Sequence, residues 1–125
     1  MRENELAKAV VDAALQVHKA LGPGLLESVY QAVLTYELRQ RGLKIESEVS
    51  IPVVYEQVQI ETAFRADLII ENCLLIELKS IEQVNPIHKK QLLTYLRLSE
   101  LKLGLLINFN EELIKNAIHR VVNGL

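Results

Sequence analysis

The sequence predicts an α/β fold with a central mixed β-sheet flanked by helices, and three observations carry that prediction. Apolar residues recur at spacings of three and four through the first part of the chain. From residue 43 the period changes to two, as strands require. A helical stretch then separates two strongly apolar runs, 74–79 and 102–109, and can serve as the crossover that joins parallel strands.

In residues 4–21, Leu6, Val10, Ala13, Val17 and Ala20 or Leu21 form one helical stripe. Gly22, Pro23 and Gly24 stop it, because glycine and proline interrupt helices. A second helix is expected over residues 25–41, with Leu26, Val29, Tyr30, Val33 and Leu34 on its apolar side and Gly42 just past its end. Ile45, Val49, Ile51, Val53 and Tyr55 then alternate with more polar neighbours, and Pro52 marks an edge or a bend. After a turn near Glu56 and Gln57, Val58, Ile60, Thr62 and Phe64 continue the alternation. Two apolar strands follow, ending in Leu68, Ile69, Ile70 and beginning again at Leu74, Leu75, Ile76. Asn85 and Pro86 open a helix reaching about residue 98. Residues 102–109 read as a strand buried on both faces. Ile118, Val121 and Val122 in the tail fit either a short strand or a last helical turn.

The chain has 125 residues, which fits one domain, 1–125, around one core. Half of it is apolar, and with 5% aromatic residues and no Trp the core is expected to be aliphatic. A net charge of −2 gives no bulk attraction to nucleic acid or anionic membranes, so a polyanionic partner needs a local basic patch. The single cysteine, Cys73, favours a reducing compartment. The first ten residues lack the apolar run of a secretory leader, and no stretch reaches the ~18 apolar residues of a membrane span. The expectation is a soluble, cytoplasmic protein without a membrane partner.

The paired apolar runs carry polar groups at one end. Side chains alternate faces along a strand, so a three-residue loop of Glu71, Asn72 and Cys73 pairs Ile70 with Leu74, Leu68 with Ile76, and Ala66 with Leu78. The opposite face then holds Asp67 across from Glu77, and Arg65 across from Lys79. Two close carboxylates repel unless one is protonated or a cation lies between them, and oxygen ligands at that charge density suit Mg²⁺ or Mn²⁺. A neighbouring lysine can polarise water or stabilise charge building on a phosphate. The competing reading is a surface ladder in which Lys79 neutralises Glu77 and Arg65 neutralises Asp67.

Three further features bear on that choice. Glu27 lies in the first turns of the second helix, where an acid suits the dipole, and it shares a helical face with Tyr30. Gln91 and Tyr95 are four apart, stacked on one face of the later helix. His88, Lys89, Lys90, Arg97 and Lys102 give this region a basic edge, or an ordinary solvated one.

With these pieces in order, the chain resembles the GxxExxY protein family within the PD-(D/E)XK nuclease superfamily. Gly24-x-x-Glu27-x-x-Tyr30 matches the family's name motif, Asp67 followed by Glu77-x-Lys79 the superfamily core, and Gln91-x-x-x-Tyr95 the motif of its RecB-like branch. Ala66 stands where the superfamily name has Pro. The resemblance implies a restriction-endonuclease-like core in which Asp67, Glu77 and a backbone carbonyl near Leu78 hold Mg²⁺ or Mn²⁺. Lys79 would stabilise the transition state, and Glu27 would orient the lysine or a water. Tyr30, Arg65, Gln91 and Tyr95 would bind substrate or brace the site. The function implied is hydrolysis of phosphodiester bonds in nucleic acid, with DNA the favoured substrate. The alternative is a non-catalytic module that keeps the nuclease fold to bind nucleic acid or protein. A chain this short has little surface for a DNA interface of roughly 1,000 Å² or more, so a homodimer or a partner protein is expected.

Overall fold

The computed structural model describes residues 2–125. Helix α1 (Arg2–Leu21) buries Leu6, Val10, Ala13 and Val17, while Ala20 and Leu21 stay exposed, so the apolar stripe ends a turn before the helix does. Glu3 and Glu5 lie in its first turn and His18 and Lys19 in its last, complementing the macrodipole. Gly22 and Gly24, at φ of 72° and 95°, take left-handed conformations that a side chain would disfavour, and they reverse the chain.

Helix α2 (Glu27–Gln40) starts two residues later than expected, with Leu26 as its cap and 74% exposed. Val29 is also largely exposed; the buried face is Tyr30, Leu34, Thr35 and Leu38. Gly42 follows the helix with φ of 82°.

Five strands follow in the spatial order of the chain: β1 (Ile45–Tyr55), β2 (Val58–Ile70), β3 (Leu74–Lys79), β4 (Leu103–Asn108) and β5 (Ile118–Val122). β3 and β4 are parallel, and the other pairings are antiparallel. Helix α3 (Pro86–Ser99) is the crossover between the parallel strands. The tail is therefore a strand, preceded by a 3₁₀ turn at Ile114–Asn116. No helix is long and apolar enough to cross a membrane among the described residues.

Two expectations about the strands are corrected. The stretch from Val58 to Phe64 and the apolar run that follows are one strand, β2, because β1 accompanies it along most of its length and no glycine or proline interrupts it. The loop of Glu71, Asn72 and Cys73 does pair Ile70 with Leu74 and Leu68 with Ile76, but the β2–β3 ladder stops there. Ala66 does not pair with Leu78, nor Arg65 with Lys79, because the two strands part. Beyond the fork β2 pairs with β1, where Ala66 faces Val49 and Arg65 faces Ser50.

One core lies between the sheet and α1 with α2, and includes Leu68, Ile70, Leu74, Ile76, Leu78, Leu105 and Ile107. The other lies under α3 and includes Ile51, Ala66, Ile69, Leu75, Leu92, Leu96 and Leu106. Ala66 and Leu68, both even-numbered on one strand, belong to different cores, so β2 rolls over at Asp67 between them. Gly104 lets α3 approach β4 closely, since a Cβ there would lie 3.0 Å from Leu92.

Candidate functional site

The fork between β2 and β3 leaves backbone groups that the ladder no longer satisfies, and acidic side chains take them up. The Leu78 N–H donates to Asp67 Oδ2 at 2.7 Å, and the Asp67 N–H donates to Glu77 Oε1 at 3.3 Å. Each carboxylate is thus tied to the opposing strand's part of the fork. Backbone N–H and carbonyl of one residue point the same way across a strand, so the Leu78 carbonyl also turns toward β2. The Lys79 carbonyl points the other way and accepts from Phe109 on the β4 side.

Glu77 is 8% exposed and Asp67 half-buried. Burial, followed by the Asp67 charge, pushes the Glu77 carboxyl up to about 8. Asp67 is also raised, by burial first and then by the charges of Glu48 and Glu27, against the lowering hydrogen bond from Leu78. The surface ladder does not form. Among the described residues no ion pair within 4.0 Å joins Lys79 to Glu77 or Arg65 to Asp67. Lys79 is half-buried and acts on both acids only at longer range.

Glu27 reaches the same end of the sheet. Its Oε2 accepts from the Ser80 N–H at 3.2 Å, and Ser80 Oγ donates to the Leu25 carbonyl at 2.6 Å. Tyr30 is fully buried and stacks on Phe109 with ring centroids 4.5 Å apart. Its hydroxyl donates to the Gly22 carbonyl at 2.6 Å and accepts from the Leu25 N–H at 3.1 Å, so it holds the glycine turn against α2. On the opposite side of the sheet Tyr95 stacks on Phe64 at 3.8 Å. Burial raises its hydroxyl pKa, as do the Glu77 and Asp67 charges, which places it within their field. Gln91 is exposed one turn earlier on α3, and Arg65 is exposed on β2. The structure therefore gathers Glu27, Asp67, Glu77, Lys79 and Tyr95 around the fork. It leaves Tyr30 inside the core, and Gln91 and Arg65 at the surface.

Three participants escape sequence reasoning. Ser80 links α2 to the end of β3. Asn108, fully buried, accepts from the Ile81 and Asn110 N–H groups and donates to the Ile81 carbonyl, fixing the segment after Lys79. An asparagine in the otherwise apolar run 103–109 was the signal for it. Glu48 is the third: the register passes from Ser47 opposite Leu68 to Val49 opposite Ala66, which sets Glu48 across from Asp67.

Two buried or half-buried carboxylates that repel one another and a carbonyl turned into the same gap form an all-oxygen donor set suited to Mg²⁺ or Mn²⁺, with the Lys79 amine beside it. Among the described residues no group of three or more His, Cys, Asp or Glu side chains is placed to hold a metal ion. Mg²⁺ characteristically keeps several waters and takes one or two carboxylates, so the fork fits that ion.

A mixed sheet between helix layers, split to hold Asp and Glu-x-Lys at its fork, defines a nuclease-like domain. The family model of the PD-(D/E)XK nuclease superfamily matches residues 4–121, and the chain belongs to that superfamily. No curated protein and no solved structure matches the chain.

Proposed function

We propose that the chain is one nuclease domain, 1–125, of the GxxExxY kind, hydrolysing phosphodiester bonds in nucleic acid with DNA the favoured substrate. The observation that carries this reading is the pair Asp67 and Glu77, brought together at the fork with no ion pair to either within 4.0 Å among the described residues. Asp67, Glu77 and the Leu78 carbonyl would hold Mg²⁺ or Mn²⁺. When bound, the ion supplies Lewis-acid activation of water and neutralises phosphate charge. Lys79 stabilises negative charge developing on the phosphate. Glu27 fixes the segment bearing Lys79 through Ser80. Tyr95 walls the site from the α3 side, while Gln91 and Arg65 are exposed where a substrate backbone can reach them.

The net charge of −2 favours a second reading, a module that binds nucleic acid or protein without cleaving. Incubation with linear duplex and single-stranded DNA in Mg²⁺ or Mn²⁺ separates the two. Cleavage by the wild type that Lys79→Ala abolishes supports the nuclease. Tight binding without cleavage supports the module.

A further inference from the structure

Glu48 has no role in any motif of the sequence, yet its position is unusual. It lies in the middle of β1 with φ of 52°, a left-handed conformation that only a small share of non-glycine residues adopt. The local register places it opposite Asp67, at the point where β2 rolls from one core to the other. It is exposed, and it lines a cleft of about 370 Å³ between α2 and β1 with Ser28, Gln31, Thr35, Arg39 and Ser47. Ser28 also lines a second cleft, the one that holds Glu27 and Ser80.

An ion pair with Arg39 would explain Glu48 without reference to the site. Arg39 instead donates to the Ile45 carbonyl at 3.0 Å, and among the described residues it forms no ion pair with Glu48 within 4.0 Å. The Glu48 charge therefore acts on Asp67, while Arg39, which lines the same open cleft, is turned to the Ile45 carbonyl. Such an arrangement is unfavourable for the metal-free chain and becomes favourable around a hydrated cation.

We propose that Glu48 is an outer carboxylate of the divalent-cation site, holding the water shell of the ion on the α2 side of Asp67. This rests on the metal-site reading given above. Direct ligation is not required, since the acids form no closed cage and Mg²⁺ retains water in such sites. Partners that act through a ligand or its water commonly change metal affinity by about 10- to 100-fold. Glu48 is thus a positioning residue for the ion, separate from the pair that would hold it.

The test is calorimetric titration of the full chain with Mn²⁺, for wild type, Glu48→Gln, Glu48→Asp and Asp67→Asn, with melting temperatures recorded in EDTA. Glu48→Gln should weaken Mn²⁺ binding roughly 10- to 100-fold, Glu48→Asp should recover part of the loss, and Asp67→Asn should abolish binding. The EDTA melting temperature of Glu48→Gln should equal or exceed that of the wild type. Glu48→Asn, whose side chain tolerates the left-handed region, provides a second variant if the glutamine folds poorly. An affinity within twofold of wild type in both neutral variants, with binding lost in Asp67→Asn, overturns the role of Glu48 and leaves the site reading standing. Absence of Mn²⁺ binding in the wild type overturns both. A loss of melting temperature in EDTA that accounts for the weakened binding would make Glu48 a folding residue and also overturn the proposal.

Discussion

Glu77 is an acid whose protonated form the fold prefers. Its carboxyl is raised from 4.5 to about 8, chiefly by burial and then by Asp67. The proton bound in the folded state therefore contributes stability that is complete below about pH 4.5 and is lost as the pH rises through 8. Metal-free protein should accordingly melt at a higher temperature near pH 5 than near pH 8.5 as far as this group is concerned. Glu77→Gln should remove that slope and raise the melting temperature at pH 8.5, reflecting a stability gain on the order of a few kcal/mol at most. Thermal melts in EDTA across this range check it; a lower melting temperature for the glutamine variant at high pH would show that the ionised acid stabilises the fold. The same substitution should eliminate Mn²⁺ binding, so one residue trades stability against ion capture.

At the scale of elements, the turn between α1 and α2 sets where Glu27 stands. The Tyr30 hydroxyl joins the Gly22 carbonyl to the Leu25 N–H, and the Leu25 carbonyl in turn receives Ser80 Oγ. Phe109 supports the Tyr30 ring from the end of β4. Tyr30→Phe keeps the ring and removes both hydrogen bonds, leaving the part-buried Gly22 carbonyl and Leu25 N–H without this partner. The expected cost is about 1–3 kcal/mol, read as a lower denaturant midpoint with an unchanged slope. Because the turn also anchors Ser80, the cleavage proposed above should slow more than nucleic-acid binding weakens. A midpoint equal to wild type would mean that water replaces the hydroxyl at no cost.

For the molecule as a whole, charge distribution decides how a polyanion is met. The chain is acidic in sum, and the fork concentrates Glu27, Glu48, Asp67 and Glu77. The exposed Lys89, Lys90 and Arg97 on α3 lie on the layer that also carries Tyr95. If this edge contacts phosphates, the double substitution Lys89→Glu with Lys90→Glu should weaken DNA binding at all sequences alike. It should also lower the slope of log affinity against log salt by about 2. Fluorescence anisotropy in Mg²⁺ at several salt concentrations measures both. An unaltered slope would place the nucleic-acid path elsewhere, away from α3.

The layers, the crossover, the loop joining β2 to β3 and the pair Asp67 and Glu77 are legible in the sequence, because each is written in a local period or a short spacing. Ile70 meets Leu74 and Leu68 meets Ile76 as alternation requires. Where the β2–β3 pairing stops is a matter of how the strands pack. Nothing local says that β2 and β3 pair only from Leu68 to Ile70, and so alternation sets Arg65 across from Lys79, whereas its registered neighbour is Ser50 on the other edge of β2. Glu48 shows the reason most clearly. Register counted back from the turn, where Tyr55 pairs with Val58, would set Glu46 opposite Asp67. An irregularity between Ile51 and Val53 shifts the strands and brings Glu48 there instead. A bulge depends on how two strands twist over the helix beneath them, and that is a property of the packed molecule, absent from any short stretch of its sequence.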